Sequence, residues 1–176
     1  MNPFIQRLLL TFATASCVAG WAQTITPSGG KFGPQWRLLA GEWTGEAATG
    51  GSTGSCSFRF DLAGHILVRT NHAEGIPAGN RTAAAHDDLM VIYPGANEAL
   101  AHATYWDNEG HVIEYLATWS ADGNTLTFLS KPGAGPQFRL TYKKLDADSL
   151  TVSFDMATGQ AGAFKTYTSG RIRRQK

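Results

Sequence analysis

Arg69, Asn71 and His72 end one strand-like run of the sequence, and His86, Asp87 and Asp88 begin the next. Tyr105 and Asp107 close a third run, and His111 opens a fourth. Imidazole, carboxylate and phenol groups gathered this way suit three kinds of chemistry: polar anchoring of a ligand, general acid–base work, or metal ligation. Along one strand, residues two apart share a face at a separation of about 6.6 Å. His86 and Asp88 can therefore act together, whereas Asp87 and Asp88 point to opposite faces and form no carboxylate pair in one cavity. Asp107 placed opposite His111 orients that imidazole. A zinc site wants three or four convergent ligands. His72, His86 and His111 form no compact His-x-His or Cys-rich motif, so no metal is expected. No catalytic residue is assigned: the chain has no Gly-x-Ser-x-Gly, phosphate loop or dinucleotide fingerprint. Gly50-Gly51-Ser52-Thr53-Gly54 is glycine-rich but lacks the Lys and the helix of a phosphate loop. His65 and His102 are expected to face solvent.

The elements that position these residues are short strands. After a brief helix over Pro34–Ala40, with Pro at its first position and Gly41 as its stop, no helical period is visible. Strands are predicted near 42–48, 55–62, 65–72, 84–93, 99–107, 111–120, 124–130, 137–144, 149–156 and 163–172. About ten short strands at this spacing predict an all-β, antiparallel up-and-down barrel with a short N-terminal helix. Alternate loops of such a meander fall at opposite ends. Ala63-Gly64, Pro94 to Glu98, Ala121 to Asn124 and Asp146 to Asp148 are short and mark a closed base. Thr49 to Gly54, Ala73 to Ala83, Lys131 to Pro136 and Ala157 to Gly162 are longer and rich in Gly or Pro, and mark an open mouth, with Asp107 to Gly110 the one tight turn there. Gly110 suits the left-handed position of a three-residue hairpin loop, which pairs Asp107 with His111 and Tyr105 with Ile113. Ala103, Tyr105, Ile113, Tyr115, Ala117 and Trp119 then share the interior face. An even-numbered loop at Asp122-Gly123 adds Leu126 and Phe128 to it.

Met1 to Arg7 carries one positive charge, Leu8 to Gly20 is largely apolar, and Gly20-Trp21-Ala22 supplies a small-residue cleavage context. This reads as a secretory signal peptide over 1–22, too short to span a bilayer. Residues 23–33 read as a linker, and 34–176 as one domain. The expected location is periplasmic or secreted. A lipoprotein anchored through Cys17 is the lesser alternative, because Thr14 stands where a lipobox carries Leu. After cleavage only Cys56 remains, a packed thiol in a strand pattern rather than part of a disulfide framework. A formal net charge of +1 gives no argument for a nucleic-acid partner, and the basic run Arg171 to Lys176 reads as a solvated end. No further segment is apolar enough to span a membrane once the signal is removed.

Leu39-Ala40-Gly41-Glu42-Trp43-Thr44-Gly45 resembles the opening motif of the calycin superfamily, which includes lipocalins, fatty-acid-binding proteins and nitrobindins. The resemblance implies that Trp43 seals the barrel base and that an Arg of the last strand, Arg171 or Arg173, packs on it. His86 to Tyr93 and Asp107 to Ile113 look like a family of secreted bacterial lipocalin-like proteins of unknown function. That implies a ligand-binding barrel and transfers no established activity. Nitrobindin-like proteins bind haem through a His near the chain end. This chain has no His after His111, so neither haem nor any other cofactor is expected.

The expectation is non-covalent binding of a small hydrophobic or amphipathic molecule. Tyr105, Tyr115, Trp119 and Phe128 line the pocket, and Arg69, Asn71, His72, His86, Asp88, Asp107 and His111 anchor its polar end at a solvated rim. Two alternatives stand: a hydrolase or isomerase using His86 or His111 as general base, and an envelope interaction protein with a filled core.

Overall fold

The computed structural model describes residues 30–46, 54–74, 84–133, 135–158 and 162–176. Its strands are β1 (Gly41–Gly45), β2 (Gly54–Asp61), β3 (Ile66–Ala73), β4 (His86–Pro94), β5 (Leu100–Asp107), β6 (Val112–Trp119), β7 (Thr125–Ser130), β8 (Gln137–Lys144), β9 (Ser149–Ala157) and β10 (Lys165–Arg174). All pair antiparallel, each with its neighbour in sequence, and β10 returns to pair with β1, so the sheet is a closed ten-stranded barrel. Among the described residues no helix is long and apolar enough to cross a membrane. The proposed signal segment, and most of the long mouth loops, lie outside the described residues.

The predicted hairpin registers are present. Tyr105 faces Ile113, and Asp107 donates its backbone N–H to His111 O across the tight turn. Gly110 takes φ +91°, the left-handed conformation that the turn requires. Across the next hairpin Trp119 pairs with Leu126 and Ala117 with Phe128, as the four-residue loop demands. Alternation then carries Ala103, Tyr115, Ala117, Leu126 and Phe128 inward, where all are buried. Phe58, Tyr142, Phe128 and Tyr115 fill the middle of the barrel in a chain of edge-to-face contacts.

The expected α-helix over Pro34–Ala40 is instead a five-residue 3-10 turn, Pro34–Leu38. A segment of seven residues gains little from its own helical hydrogen bonds, so packing decides its type. The three-residue repeat instead places Trp36 and Leu39 on one side, and both are fully buried against the barrel base. Trp36 donates its indole N–H to Glu98 O and meets Trp119 edge-on at 5.7 Å. Phe32, from the segment read as a linker, packs on Trp36 and Phe60.

Trp43 is fully buried and donates its indole N–H to Leu39 O. The arginine over its ring is Arg174, at 4.3 Å, not Arg171 or Arg173. Register decides this: Trp43 pairs with Arg174, so those two side chains share a face, while Arg171 and Arg173 turn outward to Glu46. The Arg174 guanidinium also donates to Ala40 O and Leu38 O, capping the 3-10 turn. Gly41 makes room for it, because a Cβ there would lie 2.7 Å from the guanidinium nitrogen and the backbone φ is +125°.

Near the start of β10 the ladder slips by one residue between Thr166 and Thr168, and Tyr167 is the extra residue of this bulge. On the outer wall beside it, buried Asp155 accepts from Arg139 Nε at 2.9 Å and from Thr166 Oγ1 at 2.7 Å.

Truncating Trp43 to Ala is expected to cost about 3–5 kcal/mol, and Arg174→Ala about 1–3 kcal/mol from the lost cation–π contact and hydrogen bonds. Urea denaturation midpoints check both; wild-type midpoints would remove the base seal from this account.

Candidate functional site

Antiparallel pairing brings the ends of β3, β4 and β5 into one row on the inner face. Asn71 pairs with Asp88, and Asp88 with Asp107. One step deeper, Arg69 pairs with Met90, which pairs with Tyr105. The sequence-predicted residues Arg69, Asn71, His86, Asp88, Tyr105, Asp107 and His111 are thus gathered at the mouth end. Two linked networks result.

The first is buried. Arg69 Nη1 donates to Asp88 Oδ1, and Asn71 Nδ2 donates to Asp88 Oδ2 at 3.0 Å. The Arg69 and Asp88 side chains are only 7% and 3% exposed, so this pair lies beneath the rim rather than in it. Burial pushes the Asp88 carboxyl up, and Arg69, His86 and Asn71 pull it back only in part. Arg69 Nε and the Tyr142 hydroxyl are both buried nearby and, among the described residues, neither has a hydrogen-bond partner of good geometry. Cys56 adds a buried free thiol whose pKa burial raises, in keeping with a packed role.

The second network is at the rim. His86 Nε2 lies in hydrogen-bond contact with the Tyr105 oxygen at 2.9 Å, and the Tyr105 hydroxyl donates to Asp107 Oδ2 at 3.1 Å. His111 Nδ1 meets the same Oδ2 at 2.9 Å. Glu109 reaches His86 Nδ1 at 3.2 Å from the turn. Burial pushes the Asp107 carboxyl up, but the backbone N–H of His111, its ring and the Tyr105 hydroxyl outweigh it and hold the carboxyl below its ordinary range. Burial and the neighbouring Asp88 and Asp107 charges raise the Tyr105 hydroxyl well above its ordinary value, keeping it a proton donor at neutral pH.

His72 and Trp119 stand apart from this group. His72 alternates outward and pairs with Asp87 at 2.6 Å on the outer wall. Trp119 sits at the sealed base against Trp36. Tyr115 and Phe128 lie in the packed middle of the barrel. Sequence reasoning missed the opposite wall. Phe138 and Phe154 stack at 5.7 Å on the inner face at the mouth end, and Tyr167 meets Phe154 edge-on at 6.3 Å. Thr168 and Gly170 share that inner face yet are exposed, and a Cβ on Gly170 would meet nothing within 4 Å. The alternation Phe138, Leu140, Tyr142 and Val152, Phe154, Met156 was the available signal. A cleft of about 300 Å³ lies mainly on the outer wall of β1–β4, lined by Glu42, Ser55, Ser57, Thr70, His72 and Asp87, with the inward-facing Cys56, Asn71 and Asp88 also bordering it. Among the described residues no cluster of His, Cys, Asp and Glu has the arrangement of a metal site.

Fold and site together define a closed antiparallel β-barrel with a sealed base and a mouth that is polar on one wall and aromatic on the other. The crystal structure of Rv2717c from M. tuberculosis is similar in fold: TM-score 0.57 and 14% identity, covering 83% of this chain and 100% of that one. No protein-family model matches the chain, and no curated protein matches it significantly.

Two outcomes follow. Asp88→Ala strands the buried Arg69 charge and should cost about 3–5 kcal/mol, whereas Arg69→Met combined with Asp88→Leu should recover most of that loss; equal denaturation midpoints for the single and double variants would contradict the pairing. Asp107, with its folded-state pKa depressed, contributes stability that is present above its unfolded value of about 3.9 and is lost as pH falls through the folded value. The acid limb of a stability–pH curve should therefore be shallower in Asp107→Asn than in wild type, and superimposable limbs would count against this assignment.

Proposed function

We propose that this chain is a periplasmic or secreted calycin-like barrel that binds a small, partly apolar molecule at its open mouth. The carrying observation is the contrast between the two ends of the inner face. The base is closed by Trp36, Trp43 and Arg174, while the mouth keeps a hydrogen-bonded polar wall opposite the half-buried Phe138 and Phe154. A ligand lying across the mouth sets its apolar body on the aromatic wall and its polar end against His86, Tyr105, Asp107 and His111. Asn71 and Asp88 stand just below, with Arg69 as their buried counter-charge. The signal-like residues 1–22 support export, with cleavage after Ala22 or, less favoured, anchoring through Cys17.

The Asp107–His111 contact supports a second reading, a general base at the rim, because a carboxylate on Nδ1 orients an imidazole for proton transfer through its other nitrogen. That reading predicts a turnover rate that titrates with pH; pure binding predicts none.

Native mass spectrometry of the protein purified from its own cells should show a bound small molecule. His111→Ala should weaken its binding by about tenfold to a hundredfold, the equivalent of roughly 1.5–3 kcal/mol for a lost charge-assisted hydrogen bond, with little change in melting temperature. An empty barrel that also fails to bind 8-anilinonaphthalene sulfonate would defeat the binding reading.

A further inference from the structure

The outer wall of β2–β4 carries a serine, a histidine and an aspartate in one cross-strand row. Ser55 pairs with His72, and His72 with Asp87. Alternation turns all three outward, and all three are exposed, while their neighbours Cys56, Asn71 and Asp88 face the interior. His72 Nδ1 lies 2.6 Å from Asp87 Oδ1. A carboxylate only accepts, so the ring proton sits on Nδ1 and the lone pair of Nε2 is left as a base. Ser55 flanks His72 on the side away from Asp87, because β3 lies between β2 and β4. Directly opposed side chains have Cβ atoms about 4.5–5.5 Å apart, a span across which an imidazole can reach a hydroxyl. Acid, base and hydroxyl thus stand in the order that activates a serine nucleophile.

The next row towards the base adds a donor. Glu42 pairs with Ser57, and Ser57 with Thr70. Ser57 Oγ and Thr70 Oγ1 are 2.7 Å apart. Of two bonded hydroxyls one donates to the other, and the second keeps a free O–H. Ser57 is two residues from Ser55 on the same face, about 6.6 Å along β2. An ester whose carbonyl carbon meets Ser55 Oγ extends its oxygen into that interval, towards the free hydroxyl. Both rows line the cleft of about 300 Å³ on this wall. Its outward side chains include two acids and no large apolar group. Such a lining suits a short acyl group with a neutral or cationic alcohol, and repels an anionic ester.

We propose that Ser55, His72 and Asp87 form a catalytic triad on the outer wall of the barrel that hydrolyses small neutral or cationic esters. His72 Nε2 takes the Ser55 proton as Oγ bonds to the ester carbonyl carbon. Asp87 is a positioning residue that holds the ring, and the Ser57–Thr70 pair donates to the oxyanion. The ester C–O bond then breaks, and the alcohol leaves with the proton from His72. Water, deprotonated by the same imidazole, attacks the acyl group, frees the acid and restores the Ser55 hydroxyl. This site lies outside the mouth and does not depend on what binds there.

The test uses the purified full chain and a fluorophosphonate probe. The probe marks an activated serine: an Oγ–P bond forms, fluoride leaves, and the base takes the hydroxyl proton. The chain should gain one phosphonyl group, mapped by peptide mass spectrometry to Ser55. It should also hydrolyse p-nitrophenyl acetate in preference to the octanoate. Ser55→Ala should lose both reactions. His72→Ala should be labelled about a hundredfold more slowly, the low end of what a general base supplies. Asp87→Asn should slow labelling and Asp87→Glu should restore part of the rate, a rescue that a merely structural role would not show. Ser57→Ala combined with Thr70→Val should slow acetate turnover by about tenfold to a thousandfold, whereas either change alone leaves a donor in place. The positions line an exposed cleft, and thermal melts check that each variant is folded. No adduct on the wild-type chain, an adduct elsewhere than Ser55, or His72→Ala labelled at the wild-type rate would each overturn the triad. So would undiminished acetate hydrolysis by Ser55→Ala, which would assign it to an exposed imidazole alone. A preference for the octanoate would overturn the substrate class.

Discussion

The barrel depends on its shortest seam. β1 contributes five residues, and its register with β10 runs only from Trp43 opposite Arg174 to Gly45 opposite Ile172. So few ladder positions would hold a seam weakly, and an open seam exposes two strand edges. Arg174 makes up the difference. Its guanidinium lies on the Trp43 ring and caps the backbone of the 3-10 turn, so one side chain ties the last strand, the first strand and the base plug together. Gly41 is the concession the sequence makes to admit it.

With the base fixed, polarity rises along the inner face. Near the base the interior is packed with Trp36, Trp119, Leu126 and Leu150. The middle is aromatic, and the β3–β5 side of the mouth carries charge. The two acids of that wall have their pKa values moved in opposite directions although their strands pair them directly. Asp88 is forced upward by burial, while Asp107 is held down by donors at the turn. Their contributions to stability therefore have opposite pH signs. Asp107 is a gain that vanishes in acid. Asp88 in its ionised form is a cost that builds as pH rises from its unfolded value towards its raised folded value, and the Arg69 contact offsets that cost.

How much of this was legible before folding depended on the range of each constraint. The turn at Asp107 to Gly110 and the even loop at Ala121 to Asn124 are local, and each fixed a register that alternation propagated along two strands, so the interior face of β5–β7 could be read directly. The ten-strand barrel followed from the spacing of turn residues. The arginine on Trp43 was misassigned because the parity of β10 is set against β1 across more than a hundred residues, which no local signal reports. The Pro34–Leu38 segment was read from capping residues that suit either helix type, and the fit of Trp36 and Leu39 into the base chose between them. Strand order gives the end of the barrel at which Arg69, Asn71, His86, Asp88, Tyr105, Asp107 and His111 lie, but not how far beneath the rim Arg69 and Asp88 sit, nor that His72 turns outward. Phe138 and Phe154 were overlooked because attention to titratable groups drew the site onto one wall.

The bulge at Tyr167 has a consequence for how such a mouth diversifies. Because strand alternation has a period of two, the extra residue reverses the facing of everything on β10 before it. Met156, on the inner face, is paired with Lys165, and Thr166 is sent outward to Asp155. Were the same residues to run on in regular alternation, Thr166 would line the mouth and Lys165 would point to solvent; the bulge is what holds the opposite arrangement. Removing Tyr167 itself would leave Lys165 opposite Met156 and Thr166 opposite Asp155, so the strand can lose its extra residue without changing which of these side chains face inward. The bulge thus uncouples the length of β10 from the lining of the mouth, and replacement of individual side chains is the route by which this barrel would change what it admits.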